Sequence, residues 1–416
     1  MSATASGPFT FAKGNAAKLA ALPRYATGGL RTRFQKRNQR MWAFGSAFGL
    51  ADGALALLRA ARRLDPELRL IWLVANEEQS RRARAMGIEW APKDSRAGFD
   101  VTSSAGVVTV THGFGDVNPY AVGGATIVQL WHGSPLKKLH ADSPAALTLG
   151  PFSRVPAARG IMREAYRRGT RRIGLLPVAA DAFVPSMCTA FDLTPRQVRV
   201  LGEPRTDVLF RGSPAGRRAA ARELLERTVP GLVGRRAVVY APTWRDGEPD
   251  PGLPTQRQWG RIDSWCAATD SVLLIRPHPL GVGAYAHSSR HVRMVPPTLL
   301  PESMPLLWGI DCLVTDYSSM LYDFAVTGGP MVLLAPDLEH YAATRGLYRD
   351  YAEISGGRWQ QDWDGVLDRL ELLDSDPATR ERATRHTARI AALAHRHTDG
   401  RSAKRVANYL LELTSS

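Results

Sequence analysis

The chain has 416 residues, 44% of them hydrophobic, with 54 Lys plus Arg against 39 Asp plus Glu and a formal charge of +15. That apolar fraction excludes a disordered chain, which could not offset its ordering entropy, and the length fits two domains or three. The charge leaves three partners open: nucleic acid, an anionic membrane surface or an anionic small substrate.

Residues 1–51 carry eight bases and no acid. No apolar signal core lies in the first 40 residues, which argues against secretion. Cys188, Cys266 and Cys312 are odd in number and far apart, so neither a disulfide framework nor a metal spacing is present, and a reducing compartment is expected. From Met41 to Leu58, Asp52 is the only charge. That length could span a membrane, but the central charge and Gly45, Gly49 and Gly53 favour a buried strand, a turn and a helix.

Strands are predicted at Met41–Phe44, Leu70–Val74, Val107–Thr111 and Thr126–Trp131, with helices over Gly53–Arg63 and Glu77–Met86. Residues 151–180 then carry seven arginines against Glu164. Ile161, Met162 and Tyr166 punctuate them at near-helical spacing. The pattern reads as a basic amphipathic helix suited to anionic lipid, or as a solvated face. These two stretches account for +14 of the +15. Aromatics do not interleave with the bases, and no helix-turn-helix, zinc-finger or RNA-recognition pattern occurs, so no nucleic-acid partner is expected.

A second series of strands is predicted at Val198–Leu201, Ala237–Ala241, Val272–Arg276, Cys312–Thr315 and Met331–Leu334. Helices are expected over Ala215–Arg227, Thr255–Ala268 and Ser319–Val326, with two or three more from Trp363 to Leu413. Runs apolar throughout, such as Val272 to Ile275, suit parallel strands buried on both faces. Alternating β and α elements predict two doubly wound α/β domains joined near 180–200. In such sheets, ligands sit beyond the carboxyl ends of the strands.

Those ends are polar. They read Trp131-His132-Gly133-Ser134-Pro135-Leu136-Lys137-Lys138, Gly202-Glu203-Pro204-Arg205-Thr206-Asp207, Ala241-Pro242-Thr243-Trp244-Arg245-Asp246, Arg276-Pro277-His278-Pro279, Thr315-Asp316-Tyr317-Ser318-Ser319 and Ala335-Pro336-Asp337-Leu338-Glu339. Six such ends predict an anion-binding cleft. His132 can serve as a general base or be structural. Lys137 and Lys138 can hold phosphate. His278, fixed between two prolines, can donate to a diphosphate or protonate a leaving group. Arg205 and Arg245 can grip phosphate in bidentate fashion, or form packing salt bridges. Ser318 and Ser319 open a predicted helix, as an anion site or a plain N-cap. Asp337 and Glu339 can accept from ribose or glycerol hydroxyls. Dinucleotide, P-loop and Gly-x-Ser-x-Gly motifs are absent. Asp362-Trp363-Asp364 and Asp374-Ser375-Asp376 lie away from strand ends and read as helix caps, so no metal is required.

The ordered motifs resemble the CDP-glycerol glycerophosphotransferase family, whose WHG(T/S)PLKK, G-x-PR-x-D, YAPTWRD, RPHP and DxLxTDYSS blocks match residues from about 41 to 351. The resemblance implies a GT-B-like fold: two Rossmann-like domains facing a cleft, with C-terminal helices. It divides the chain into a basic segment at 1–40, an acceptor and membrane domain at 41–195 and a CDP-donor domain at 196–416. It implies transfer of a polyol phosphate, glycerol phosphate foremost, from a CDP-polyol to a lipid-linked saccharide or polyol-phosphate acceptor at the cytoplasmic membrane face. No cofactor or catalytic metal is implied. His132 and His278 become catalytic. Lys137, Lys138, Arg205, Thr243, Arg245, Asp316, Ser318, Ser319, Asp337 and Glu339 become substrate-binding. Two departures touch substrate identity: His140 stands where the family often has Gly, and Ser355-Gly356-Gly357 where Pro-Gly-Pro is frequent. The other readings are a nucleotide-sugar glycosyltransferase and a basic membrane- or nucleic-acid-binding protein without catalysis.

Overall fold

A computed structural model describes residues 22–33, 35–147, 156–245, 249–277, 285, 287 and 289–415. Two parallel sheets organise the chain. The first holds β1 (Asn38–Phe44), β2 (Arg69–Val74), β3 (Glu89–Pro92), β4 (Ala105–Val110), β5 (Thr126–Gln129), β6 (Ile173–Val178) and β7 (Val198–Val200), in the order β3-β2-β1-β4-β5-β6-β7. The second holds β8 (Arg236–Ala241), β9 (Ser271–Ile275), β10 (Val292–Met294), β11 (Cys312–Thr315) and β12 (Met331–Leu333), in the order β10-β9-β8-β11-β12. Both orders reverse direction beside their first strand, as in doubly wound nucleotide-binding sheets. The switch points lie between β1 and β4 and between β8 and β11.

The apolar runs behave as parallel strands covered on both faces should. Every residue of β4 and β9 is buried. One face of the first sheet carries Trp42, Phe44 and Trp72, packed on the helix Asp52–Leu64. The expected strands and helices are present within a few residues, including three helices after Trp363: Trp363–Ser375, Pro377–Ala394 and Ser402–Ser415. Met41 to Leu58 folds as β1, a turn and the start of a helix. Among the described residues, no helix is long and apolar enough to cross a membrane.

One strand changes sheets relative to expectation. Val198–Val200 was expected to open the second series, yet it pairs with β6 at the edge of the first sheet. The last helix also returns to the first sheet. Its Ala403, Val406, Ala407 and Leu410 join the core formed with Leu57, Leu58 and Trp72. The terminal helix thus ties the two halves together. Phe183 meets Tyr322 edge-on at 5.2 Å across the same interface, and a continuous apolar cluster runs from Val108 through Leu136 to Tyr317 and Ile354.

Candidate active site

The carboxyl ends of both sheets face a cleft of about 1150 Å³. Its first wall follows β5. The buried Gln129 carboxamide accepts the Trp131 N–H at 3.1 Å, and Trp131 turns with φ +55°. The turn swings His132 onto His112, which follows β4. Their rings stack at 4.2 Å with planes 6° apart, and the Trp131 ring lies tilted against His132 at 4.1 Å. His132 Nδ1 lies 3.5 Å from the Thr111 carbonyl, a long contact that suits an Nδ1–H and would then leave Nε2 as the basic atom. Burial pushes this imidazole well below its ordinary value. His112, Arg205 and Lys137 push the same way, and the Thr111 carbonyl opposes. A neutral imidazole is the form that accepts a proton.

Asp116 sets the strand end beneath. It accepts the backbone N–H groups of Thr111 and His112, both at 2.8 Å. Gly133 comes next because the second domain passes close by: a Cβ there would lie 2.8 Å from Ser319 Oγ. The loop then stitches the domains together. Lys138 N–H donates to Gly346 O, and Tyr348 N–H to Leu136 O, each at 2.9 Å. Lys137 forms an isolated bridge with Leu347 and lines the cleft. Burial first, then Arg345, lower its ammonium to about 8, while Asp316 opposes.

The two predicted phosphate-gripping arginines are already gripped. Arg205 makes a fork on Asp323, with both bonds at 2.9 Å, and pairs with Glu203 at 2.6 Å. Burial opposes its charge, but Asp323 and Glu203 raise the guanidinium above its ordinary value. Arg245 binds Asp316 at 2.5 Å and Asp337 at 3.0 Å, beneath the rings of Tyr317 and Tyr341. Asp316 also accepts the Thr243 N–H at 2.9 Å. The packing alternative therefore holds in this structure, because carboxylates on the facing elements neutralise both charges. Arg276 differs. It lines the cleft, and among the described residues its guanidinium bonds the carbonyls of Val295 and Pro301 and forms no ion pair. Burial lowers it to about 10.

A family model described as CDP-Glycerol:Poly(glycerophosphate) glycerophosphotransferase matches residues 30–412. The chain belongs to that family. Among curated relatives, the teichoic acid ribitol-phosphate polymerase TarL of Staphylococcus aureus is 27% identical over 251 residues, 60% of this chain and 42% of that protein. The teichoic acid ribitol-phosphate primase of Bacillus spizizenii is 26% identical over 243 residues, 58% of this chain and 59% of its own. The chain spans about half the length of the curated relatives it matches. The solved structure of the wall teichoic acid polymerase TagF aligns over 97% of both chains, with a TM-score of 0.76 at 20% identity. That likeness shows the GT-B-like fold.

In this glycerophosphotransferase-family chain, the cleft brings together His132, Lys137, Arg205, Thr243, Ser318 and Ser319. Thr243 Oγ1 is buried without a hydrogen-bond partner among the described residues. Asp316, Arg245 and Asp337 form a network that does not line the cleft. Two more residues expected at the substrate are placed elsewhere. The Lys138 stem packs on Gly346 outside the cleft lining, because alternate residues of an extended loop point apart. Glu339 is exposed on the helix Leu338–Thr344. His278 lies outside the described residues. Ser318 Oγ accepts the Met320 N–H at 3.3 Å, just ahead of the six-residue helix Met320–Ala325, whose N-cap residue is Ser319.

Three cleft residues escaped the sequence reading. His112 follows β4, where the strand-end rule points. Arg276 sits in a quoted motif but is masked there by its histidine. Asp52 was read only as a charge in an apolar stretch. It lines the cleft at φ +56°. Burial raises its carboxyl to about 6 against the pull of Arg205.

Proposed function

We propose that the chain transfers a polyol phosphate, glycerol phosphate foremost, from a CDP-activated donor to a lipid-linked acceptor in teichoic acid or related cell-surface polymer synthesis. The N-terminal sheet then serves the acceptor, and the C-terminal sheet the CDP-polyol. The single observation that carries the reading is His132 stacked on His112 at the cleft that Lys137, Thr243 and Arg276 also line.

The reaction balances on these groups. The acceptor hydroxyl oxygen attacks the phosphorus that bears the polyol, and His132 Nε2 takes its proton. The bond from that phosphorus to the bridging oxygen breaks, and CMP leaves with the electron pair. Charge on the transferring phosphoryl needs fixed donors. Among the described residues, Lys137 and Arg276 carry cleft cations outside the carboxylate pairs, and the Thr243 hydroxyl has no other partner. Arg205 and Arg245 act as positioning groups. They hold Glu203 with Asp323, and Asp316 with Asp337, so the strand ends keep their shape.

The test is CMP release by the purified protein from CDP-glycerol and CDP-ribitol, with and without a lipid-linked disaccharide. His132→Ala should lower turnover about 10²-fold or more. UDP or GDP release from a sugar donor, with no CMP release, would move the chain to the nucleotide-sugar reading.

Peripheral attachment to the anionic cytoplasmic face belongs to the same proposal. Its support is the helix Pro156–Thr170, which exposes Arg159, Arg163, Arg168 and Ile161. Reversing those three charges should weaken binding to phosphatidylserine-containing vesicles and spare activity on a soluble acceptor. Unchanged vesicle binding would reject the attachment.

A further inference from the structure

Five described residues other than glycine adopt left-handed backbone: Asp52, Trp131, His140, Asp192 and Asp270. Three of them, Asp52, Trp131 and His140, line the cleft. Asp tolerates this region, since its short side chain bonds locally, but a bulky Trp there is a true outlier. Such strain persists only where the surroundings hold it, and it gathers at functional sites.

Trp131 and His140 are strained together, and their rings touch, with centroids 5.1 Å apart. Tyr166 meets His140 edge-on at 5.4 Å. Phe191 is fully buried and backs both rings, at 5.1 Å from Trp131 and 4.4 Å from His140. Trp131, His140 and Tyr166 all line the cleft, and the wall continues into His132, 4.1 Å from Trp131.

The His140 segment is pinned. The Tyr348 hydroxyl accepts the Leu139 N–H at 3.2 Å and donates to Asp142 at 2.8 Å, and the Thr189 hydroxyl also reaches Asp142. The φ of +40° at His140 explains why glycine suits this position. Here the backbone bears a side chain at a steric cost, and what that side chain adds is a ring on the cleft wall.

We propose that Trp131, His140 and Tyr166 form a subsite for a sugar ring of the acceptor, with His140 setting which ring fits. This rests on the transferase reading above. A wall of aromatic faces suits the C–H face of a pyranose. A linear polyol phosphate has no ring face to offer it. The neighbouring His132 would then meet a hydroxyl of the seated sugar, within the reach a general base needs.

The test compares His140→Gly and His140→Ala with the unaltered protein. Two soluble acceptors are used: a short-chain prenyl diphosphate disaccharide, and the same molecule extended by one glycerol phosphate. His140→Gly relieves the left-handed strain, so its melting temperature should equal or exceed that of the parent. Its KM for the disaccharide acceptor should rise about tenfold, the worth of one lost ring contact. Its KM for CDP-glycerol should not move. His140→Ala should show the same KM split with a lower melting temperature. An unchanged acceptor KM, or an equal rise in donor KM, overturns the subsite and leaves the transferase reading standing. A KM rise confined to the glycerol-phosphate-extended acceptor assigns the wall to the polyol chain instead, and also overturns it. Calorimetric titration with the disaccharide analogue keeps the two readings apart. Binding that His140→Gly abolishes, in a protein that releases no CMP, would remove the transferase reading and keep the sugar site.

Discussion

Lys137 gives the sharpest handle on the cleft. Its ammonium is held at about 8, by burial first and by Arg345 next. The ordinary lysine value is 10.5, so the folded value is depressed and charge is lost as pH rises through about 8. About nine-tenths of the free protein then carries the charge at pH 7, and about one-tenth at pH 9. The kcat/KM for CMP release reports the free enzyme. It should therefore fall above pH 8 with a slope approaching one decade per pH unit. On the acid side, His132 is depressed well below 6.5, so it stays neutral at that pH. Activity should persist there and fall only as pH drops through the depressed value. Lys137→Arg separates the two limbs, because a guanidinium does not titrate in this range. The variant should be slower, its planar fork being a poor copy of an ammonium, but its alkaline limb should vanish while the acid limb stays. The measurement is kcat/KM for CDP-glycerol from pH 5 to 9.5 at constant ionic strength. A Lys137→Arg profile that still declines near pH 8 would refute the assignment, as would a flat parental profile from 7 to 9.5.

Two further substitutions probe how the cleft is held. Asp323→Asn removes one charge from the fork on Arg205 and leaves Glu203 alone to neutralise a fully buried guanidinium. It should cost about 3 kcal/mol, the lower end for breaking a buried pair, read from the urea midpoint; an unmoved midpoint would show the fork contributes nothing. Gly133→Ala places a methyl 2.8 Å from Ser319 Oγ, so the Ser319 hydroxyl must rotate away or the loop give there. Stability and turnover should both fall, and Ser319→Gly in the same chain should restore part of the loss. A Gly133→Ala protein of parental activity would mean that this close approach is not needed.

The fold was legible because its signals are local and physical. Val272 to Ile275 and Val107 to Val110 are runs that only a doubly covered strand explains, and both are fully buried. The strands that escaped are those whose pattern is diluted. β3 is an edge strand ending in Pro92, with Glu89 exposed. β6 contains Gly174 and Pro177 and lies within a stretch whose arginines drew the reading towards a helix. Val198–Val200 shows a different limit: its apolar character predicts a strand, but pairing with β6 depends on residues over 20 positions away. The site divides in the same manner. Strand-end motifs locate which loops converge, since topology forces them to one face. They cannot say whether an arginine meets phosphate or carboxylate. That depends on Asp323 and Asp337, acids that lie 118 and 92 residues along the chain from Arg205 and Arg245.

This partition of arginines narrows what the formal charge of +15 means. A cleft that bound diphosphate through Arg205 and Arg245 would have to break carboxylate pairs, leaving acids buried without partners, at several kcal/mol each. A cleft that binds through Lys137, Arg276 and the Thr243 hydroxyl pays no such penalty, because those groups are desolvated and not yet matched. The second arrangement also explains why the shifts run downward. Lys137 and Arg276 are both depressed by burial. An incoming diphosphate would relieve it and raise both values. On the proposed reading, donor binding would draw on Lys137 and Arg276, which line the cleft.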